Sequence, residues 1–388
     1  MSLFTRTSIG MAWKQLSHGR SRMAVAVTGV SVAVMLMLLV LSLKETVFKS
    51  FLHVASSLRG DLILLSSKTQ TVQKPASFPR RYAERLRAIE GVETVSVVYI
   101  QTGLAINPWT RNQHDVRVYG MELDEDVIAL EGIDPNDPVF RLADVALFDR
   151  QSRPKIGPIA AELDAGHPVT TEINNRQITL TGVVSGGITL GIDANIFTTH
   201  ANFHRLFPSV SPGATDIGII KLKTGANPEA VLLTAREMLG TEAAIHTRDG
   251  LLTEELDYLK RNEPMNFVMT MIAGVAFFVG MIIVYQILYT DVINHLPQFA
   301  TLKAMGFNDF FLLRIIISEG LILSLVGFWP GLLGAMILAA VAEDAITLPV
   351  EITFGRITQV LIMSIIMCGI AAALAVRKLA SADPADVF

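Results

Sequence analysis

Residues that could do chemistry are few in this chain, and most sit in or beside apolar segments. No G-x-x-x-x-G-K-[ST] loop is present, so the usual backbone cradle for ATP phosphates is missing. No G-x-S-x-G elbow and no H-E-x-x-H pair occurs either. His200 and His204, four apart in HANFH, could share a helix face and hold a metal, but no third ligand is evident, and a capped surface turn is the plainer reading. Asp134, Asp137 and Asp144 lack calcium-loop spacing and read as solvated. The single cysteine, Cys368, lies in an apolar run, which excludes an internal disulfide and a cysteine zinc site. What remains is a stretch of unusual pattern, PQFATLKAMGFNDFFLLRIIISEG at 297–320, and two ionisable residues, Arg314 and Glu319, at the edge of a long apolar segment. Ionisable groups there are costly and tend to face protein; Arg314 can snorkel, whereas Glu319 lies deeper and calls for a partner.

The elements that must position these residues follow from composition. The 388 residues are 51% hydrophobic and 18% charged, with mean hydropathy +0.45. A soluble domain carries about 25% charge, so the deficit implies a membrane protein with a sizeable polar domain. A net charge of −4 gives no basic field for nucleic acid. Four runs are long enough to span a bilayer: 23–43, 265–289, 310–342 and 356–376. The first is too long for a signal-peptide core and is expected to be retained. Arg6, Lys14, Arg20 and Arg22 precede the first run, and Arg377 and Lys378 follow the last. By the positive-inside rule both termini are expected in the cytoplasm, with 44–264 and the loop 343–355 outside and 290–309 inside. Residues 1–22 read as an amphipathic interfacial helix carrying Trp13, set against membrane lipids, and 377–388 as a cytoplasmic tail.

The expected fold class is therefore an α-helical membrane protein with four transmembrane helices plus a large α+β extracytoplasmic domain between helices 1 and 2. Within that domain, a strand at 61–66, a helix at 78–89 and a strand at 92–99 are mirrored by a strand at 217–222, a helix at 227–239 and a strand at 243–247. Paired, these halves predict a discontinuous ferredoxin-like base, about 50–103 and 213–260. Residues 104–212, rich in short β runs (VRVYGM, QITLTGVV, ITLGI, NIFTT), predict a β-rich insert, with a turn at Ser185-Gly186-Gly187.

Pro330 predicts a kink in the third span, which is longer than one straight crossing needs. Gly327 and Gly331, like Cys368 and Ala372, have small-xxx-small spacing, which suits close helix approach within one subunit or at a dimer seam. In the opening stretch, Phe299, Leu302 and Met305 form a short apolar face with Lys303 opposite, Pro297 before it and Gly306 as its stop. A compact cytoplasmic helix there could pass force between a partner and the spans.

These residues carry a resemblance. The A-x-L-K-A-M-G loop after the second span, Glu319 beyond it and the one-plus-three topology resemble the FtsX-like permeases of the MacB class of ABC transporters. HLPQFATLKAMGF, the third-span G-F-x-P-G and the C-terminal SADPADVF look most like the DevC-type permeases of cyanobacteria. The likeness covers essentially the whole chain. It implies a non-catalytic permease subunit of the bacterial inner membrane that pairs as a homodimer. It implies no cofactor of its own, with ATP bound by a separate ABC ATPase subunit. It further implies a periplasmic adaptor (membrane fusion protein), an outer-membrane channel, and export of glycolipid or related envelope material. Pro297, Gln298, Phe299, Leu302, Lys303, Met305 and Gly306 would form the ATPase-coupling segment, and Glu319, Gly327, Pro330 and Gly331 a membrane hinge and packing set. One departure stands out: the family's acidic residue in an R-E-I-G-like context is replaced near Gln298 and Phe299, which shifts the expected contact to Phe299, Leu302 and Lys303. Rival readings are an FtsX-like relay driving an envelope enzyme, a lipoprotein-releasing permease, which SADPADVF disfavours, and a membrane enzyme or receptor, for which no convergent set of reactive side chains exists.

Overall fold

The computed structural model describes residues 20–121, 127–131, 142–187, 191–262, 264–295, 309–346 and 350–380. The amphipathic segment expected at 1–22 falls outside these residues except at its last three, as do the coupling segment 297–306 and the tail from 381. The chain divides into two compact units, 1–46 with 264–388, and 47–263.

The first unit holds the membrane-length helices: α1 (Arg20–Ser57), which continues into the second unit, α7 (Pro264–Asn294), α8 (Asp309–Ile346) and α9 (Phe354–Ala380). All four outrun their apolar windows. The clearest case is α1, expected to end near 43; the sequence KETVFKSFLHVASS contains no proline or glycine to stop it, and the helix runs on to Ser57. The third is one unbroken helix of 38 residues through Pro330, where a broken span was an alternative. Its extension to Ile346 shortens the predicted 343–355 loop.

The second unit opens with β1 (Leu62–Ser66), β2 (Phe78–Pro79), α2 (Arg81–Leu86) and β3 (Val92–Ile106). The middle contributes β4 (Gln113–Met121), β5 (Val145–Asp149), α3 (Ile159–Asp164), β6 (Val169–Ile173), β7 (Arg176–Val184), β8 (Ala194–Thr199) and α4 (His200–Leu206). It closes with β9 (Ala214–Thr215), β10 (Ile217–Leu222), α5 (Pro228–Leu239), β11 (Ala243–Thr247) and α6 (Arg248–Asn262). The base is the antiparallel order β11-β1-β10-β3. Alternation along its strands sends Leu62, Leu64, Val95 and Ile220 to one face under α2 and α5. It sends Ile63, Leu65, Val98 and Ile219 to the other, under Val54 and Ala55 of α1, Leu58 just beyond it, and Leu251 of α6.

Base and insert share one strand, β3, which runs across the border expected near 103/104. β3 has 15 residues; its first half pairs with β10 and its second with β4. Nothing in IQTGLAI stops a strand, and Gly103 faces Asn174 at close range. The order continues β4-β8-β5-β7-β6, and β6 pairs back onto β3 at Ala105 and Ile106. Six strands thus close into a small barrel around Val116, Val118, Phe148, Ile173, Leu180 and Ile196, which removes free edges. Asp216 pins the point where β3 changes partner: its Oδ2 accepts from the Ile100 N–H (2.7 Å) and its Oδ1 from Ser77 Oγ (2.6 Å). Gly191 and Ile192 of the expected ITLGI strand are not strand, and 188–190 lie outside the described residues.

Candidate functional site

The described residues that bear on function are the helix seams of the membrane unit and the polar groups at their two ends. Gly327 and Gly331 sit one turn apart on α8, facing α1. A Cβ on Gly331 would lie 2.7 Å from the Ser31 carbonyl and 2.8 Å from Val34 Cβ; one on Gly327 would lie 2.7 Å from Val30. Only a residue without a side chain lets the backbones come this close. Ser31 Oγ lies 2.9 Å from the Gly327 carbonyl and 2.6 Å from that of Val27, so its proton is shared across the seam. The spacing left open a seam within the subunit or between subunits; here both glycines pack against α1 of the same chain. Cys368 and Ala372 likewise face Gly320, joining α9 to α8. Gly280 completes the set, facing Ala33 of α1 and Met367 of α9.

At the end where α1 leaves the membrane unit, Glu45 Oε2 accepts from Arg356 Nε at 2.7 Å, and Arg356 Nη1 reaches Gln359 Oε1 at 2.6 Å. Lys44 Nζ donates to Thr270 Oγ1 at 2.9 Å. Two consecutive residues of α1 thus hold α9 and α7. Sequence reasoning missed this clamp; charged residues flanking apolar runs read only as boundary markers.

At the opposite end, Glu319 is 1% exposed on α8, and its Oε1 has no hydrogen-bond partner. The charge that acts on it is another acid, Asp291 of α7, which is 3.5 Å from His295 Nδ1. The partner expected for this carboxyl is therefore not supplied at Oε1. Arg314, five residues earlier, is exposed. Trp329, beside Pro330, is 67% exposed, on a surface with Leu325, Leu333 and Met336 that suits lipid.

In the second unit, residues 67–77 form a strap between β1 and β2. Gln73 Nε2 donates to the Ser50 and Phe51 carbonyls of α1, at 3.1 Å each. Glu255 of α6 is 5% exposed and its Oε1 accepts from the Val72 N–H at 2.6 Å. Burial pushes this carboxyl up to about 7; the Val72 N–H opposes the shift and Glu254 adds to it. Tyr258 donates to Gln70 Oε1 at 3.2 Å. The strap is thus fastened to both helices that lead toward the membrane segments.

Two sequence readings change. His204 sets its ring edge against Tyr99, with centroids 4.8 Å apart, and burial lowers its pKa. The HANFH pair thus sits on a helix that Thr199 caps, packed against the barrel wall. Asp144, read as solvated, makes a two-point pair with Arg176 at 2.8 and 2.9 Å. Among the described residues there is no cluster of three metal-ligating side chains.

The MacB-like periplasmic core domain family matches residues 23–236, and the FtsX-like permease C-terminal family matches 270–384. The chain belongs to the FtsX/MacB class of ABC transporter permeases. ABC transporter permeases from two strains of Mycobacterium tuberculosis are each 22% identical over 219 residues, 56% of this chain and 57% of theirs. The match thus spans little more than half the length of these relatives. Among solved structures, the periplasmic region of MacB from Actinobacillus actinomycetemcomitans is 14% identical, covering 52% of this chain and 94% of that one, with TM-score 0.36. The extracellular domain of the ABC-type transporter YknZ from Gram-positive bacteria is 11% identical, covering 48% and 99%, with TM-score 0.32. For this FtsX/MacB-class permease, the family boundary between 236 and 270 brackets α6, the helix the strap holds and the last element before α7.

Proposed function

We propose that this permease couples ATP hydrolysis by a separate ABC ATPase chain to expulsion of substrate from the periplasmic side of the inner membrane. In this reading it works as a homodimer with both termini in the cytoplasm. A periplasmic adaptor and an outer-membrane channel complete the path, and the cargo is a lipid or glycolipid of the envelope, as in DevC-type systems. The segment 297–306, with Phe299, Leu302 and Lys303 foremost, receives the ATPase.

The observation that carries the reading is covalent continuity. α1 crosses from one compact unit to the other, at 46/47, as a single helix. A helix transmits axial and torsional displacement with little loss because its backbone bonds are intact along its length. Motion of the membrane helices therefore reaches the 47–263 unit through this continuous helix. The test is to break it. Val47→Pro removes a backbone donor and clashes with the preceding turn, at a cost of about 3 kcal/mol or more. Reconstituted with its ATPase, the variant is expected to retain stimulated ATP hydrolysis and lose lipid extrusion. Extrusion in proportion to hydrolysis would overturn the proposal.

A further inference from the structure

We infer that the cavity between the strap and α6 is a binding site for a primary ammonium group carried on a short apolar chain. The cavity has a volume of about 330 Å³ and lies within the 47–263 unit. Leu65, Ala244 and Leu251 give it an apolar wall, and Glu254, Glu255 and Tyr258 of α6 give it a polar one. Its remaining lining adds His246 and neutral polar residues of β1 and the strap, but no lysine or arginine.

Glu255 points to the ligand's charge. The residue is 5% exposed, and one oxygen alone of its carboxylate is bonded within the chain, to the Val72 N–H. Its second oxygen has no hydrogen-bond partner among the described residues. A buried carboxylate is stable as an anion only with a cation or further donors. Glu254, the next residue, stands at the rim with its carboxylate 3.1 Å from His246 Nδ1. Two acids and no lysine or arginine thus line one cavity, which lacks the positive charge that would balance it.

The size and lining decide which cation. A metal ion needs a compact set of ligands, and no grouping suited to one exists among the described residues. The space equals that of roughly ten waters, which fits an ammonium with several carbons behind it. An ammonium donates three hydrogen bonds, enough for the free oxygen of Glu255, for Glu254 and for one hydroxyl or amide of the strap. The apolar wall takes the chain. Such a ligand would bridge the strap and α6, tightening the hold on the helix that leads to α7.

The pH dependence follows from the groups that face the site. Glu255 and Glu254 come from α6 and His246 from β11; the strap presents Ser67, Thr69 and Gln70, none of which titrates. At pH 8 the Glu255 carboxyl, which burial pushes up to about 7, is ionised. At pH 5.5 Glu255 is protonated.

The experiment is calorimetric titration of the full chain in detergent micelles with n-butylammonium, n-butanol and magnesium. At pH 8 butylammonium is expected to bind at least tenfold more tightly than butanol, and about tenfold more weakly at pH 5.5. Glu255→Gln should weaken it tenfold or more. Ala244→Leu, which fills the cavity and leaves both acids in place, should do the same, so the proposal stays testable if the first variant misfolds. Equal affinity for butanol, magnesium displacing the amine, or unchanged binding in a well-folded Glu255→Gln or Ala244→Leu chain would each overturn it.

Discussion

Ser31 Oγ lies 2.9 Å from the Gly327 carbonyl, joining two residues 296 positions apart in the chain. The bond marks the seam of α1 and α8, and the fit of that seam depends on the absence of side chains at Gly327 and Gly331.

Gly331→Ala places a Cβ 2.7 Å from backbone, which cannot yield as a flexible side chain does. It is expected to destabilise the chain by about 1–3 kcal/mol. Gly369→Ala on α9 meets nothing within 4 Å and should be neutral or stabilise by up to about 1 kcal/mol through helix propensity. Thermal midpoints of the two variants in one detergent check this; shifts of the same sign would remove the close-packing account.

Glu45 and Arg356 are each 26% exposed and 2.7 Å apart. A double-mutant cycle with Glu45→Gln and Arg356→Gln should return a coupling of about 1 kcal/mol, shrinking in high salt. A coupling of zero at low salt would show the clamp to be incidental.

Glu255 predicts a sign as well as a size. Its folded-state pKa of about 7 stands above the ordinary 4.5, so the folded chain holds this proton more tightly than the unfolded chain. The associated stability is complete below about pH 4.5 and is lost as pH rises through 7, by about 3 kcal/mol at most. The melting temperature of the wild type should therefore fall more between pH 5 and 8 than that of Glu255→Gln. Parallel curves would contradict the assignment.

Pro330 lies inside an unbroken helix, and the proposal that it acts as a hinge is tested against Phe299. Pro330→Ala restores a backbone donor and is expected to leave ATPase binding intact while lowering cargo release per ATP hydrolysed. Phe299→Asp puts a charge in the proposed contact face and should abolish stimulation of the ATPase instead. If Pro330→Ala reduces hydrolysis and release in proportion, the residue only shapes a static helix.

Much of this architecture was legible in the residues themselves. Four apolar runs announced four membrane-length helices, because burying a helix in hydrocarbon demands about 20 apolar residues in sequence. Asn227, Pro228 and Gly240 marked the two ends of α5, because caps act within one turn. The motif at 297–306 and the small residues of α8 pointed to the permease class, because both are local patterns. The tertiary structure decided what those patterns meet. It sent Gly327 and Gly331 to α1 of the same chain, carried β3 across the expected border and closed the barrel at β6. It also paired Asp144 with Arg176 and left Glu319 Oε1 without a partner. Each of these contacts joins residues tens to hundreds of positions apart, and the lack of one at Glu319 is equally a matter of what the whole chain brings near. Periodicity tells which face of an element is buried, but the partner on that face is set by the packing of the whole chain.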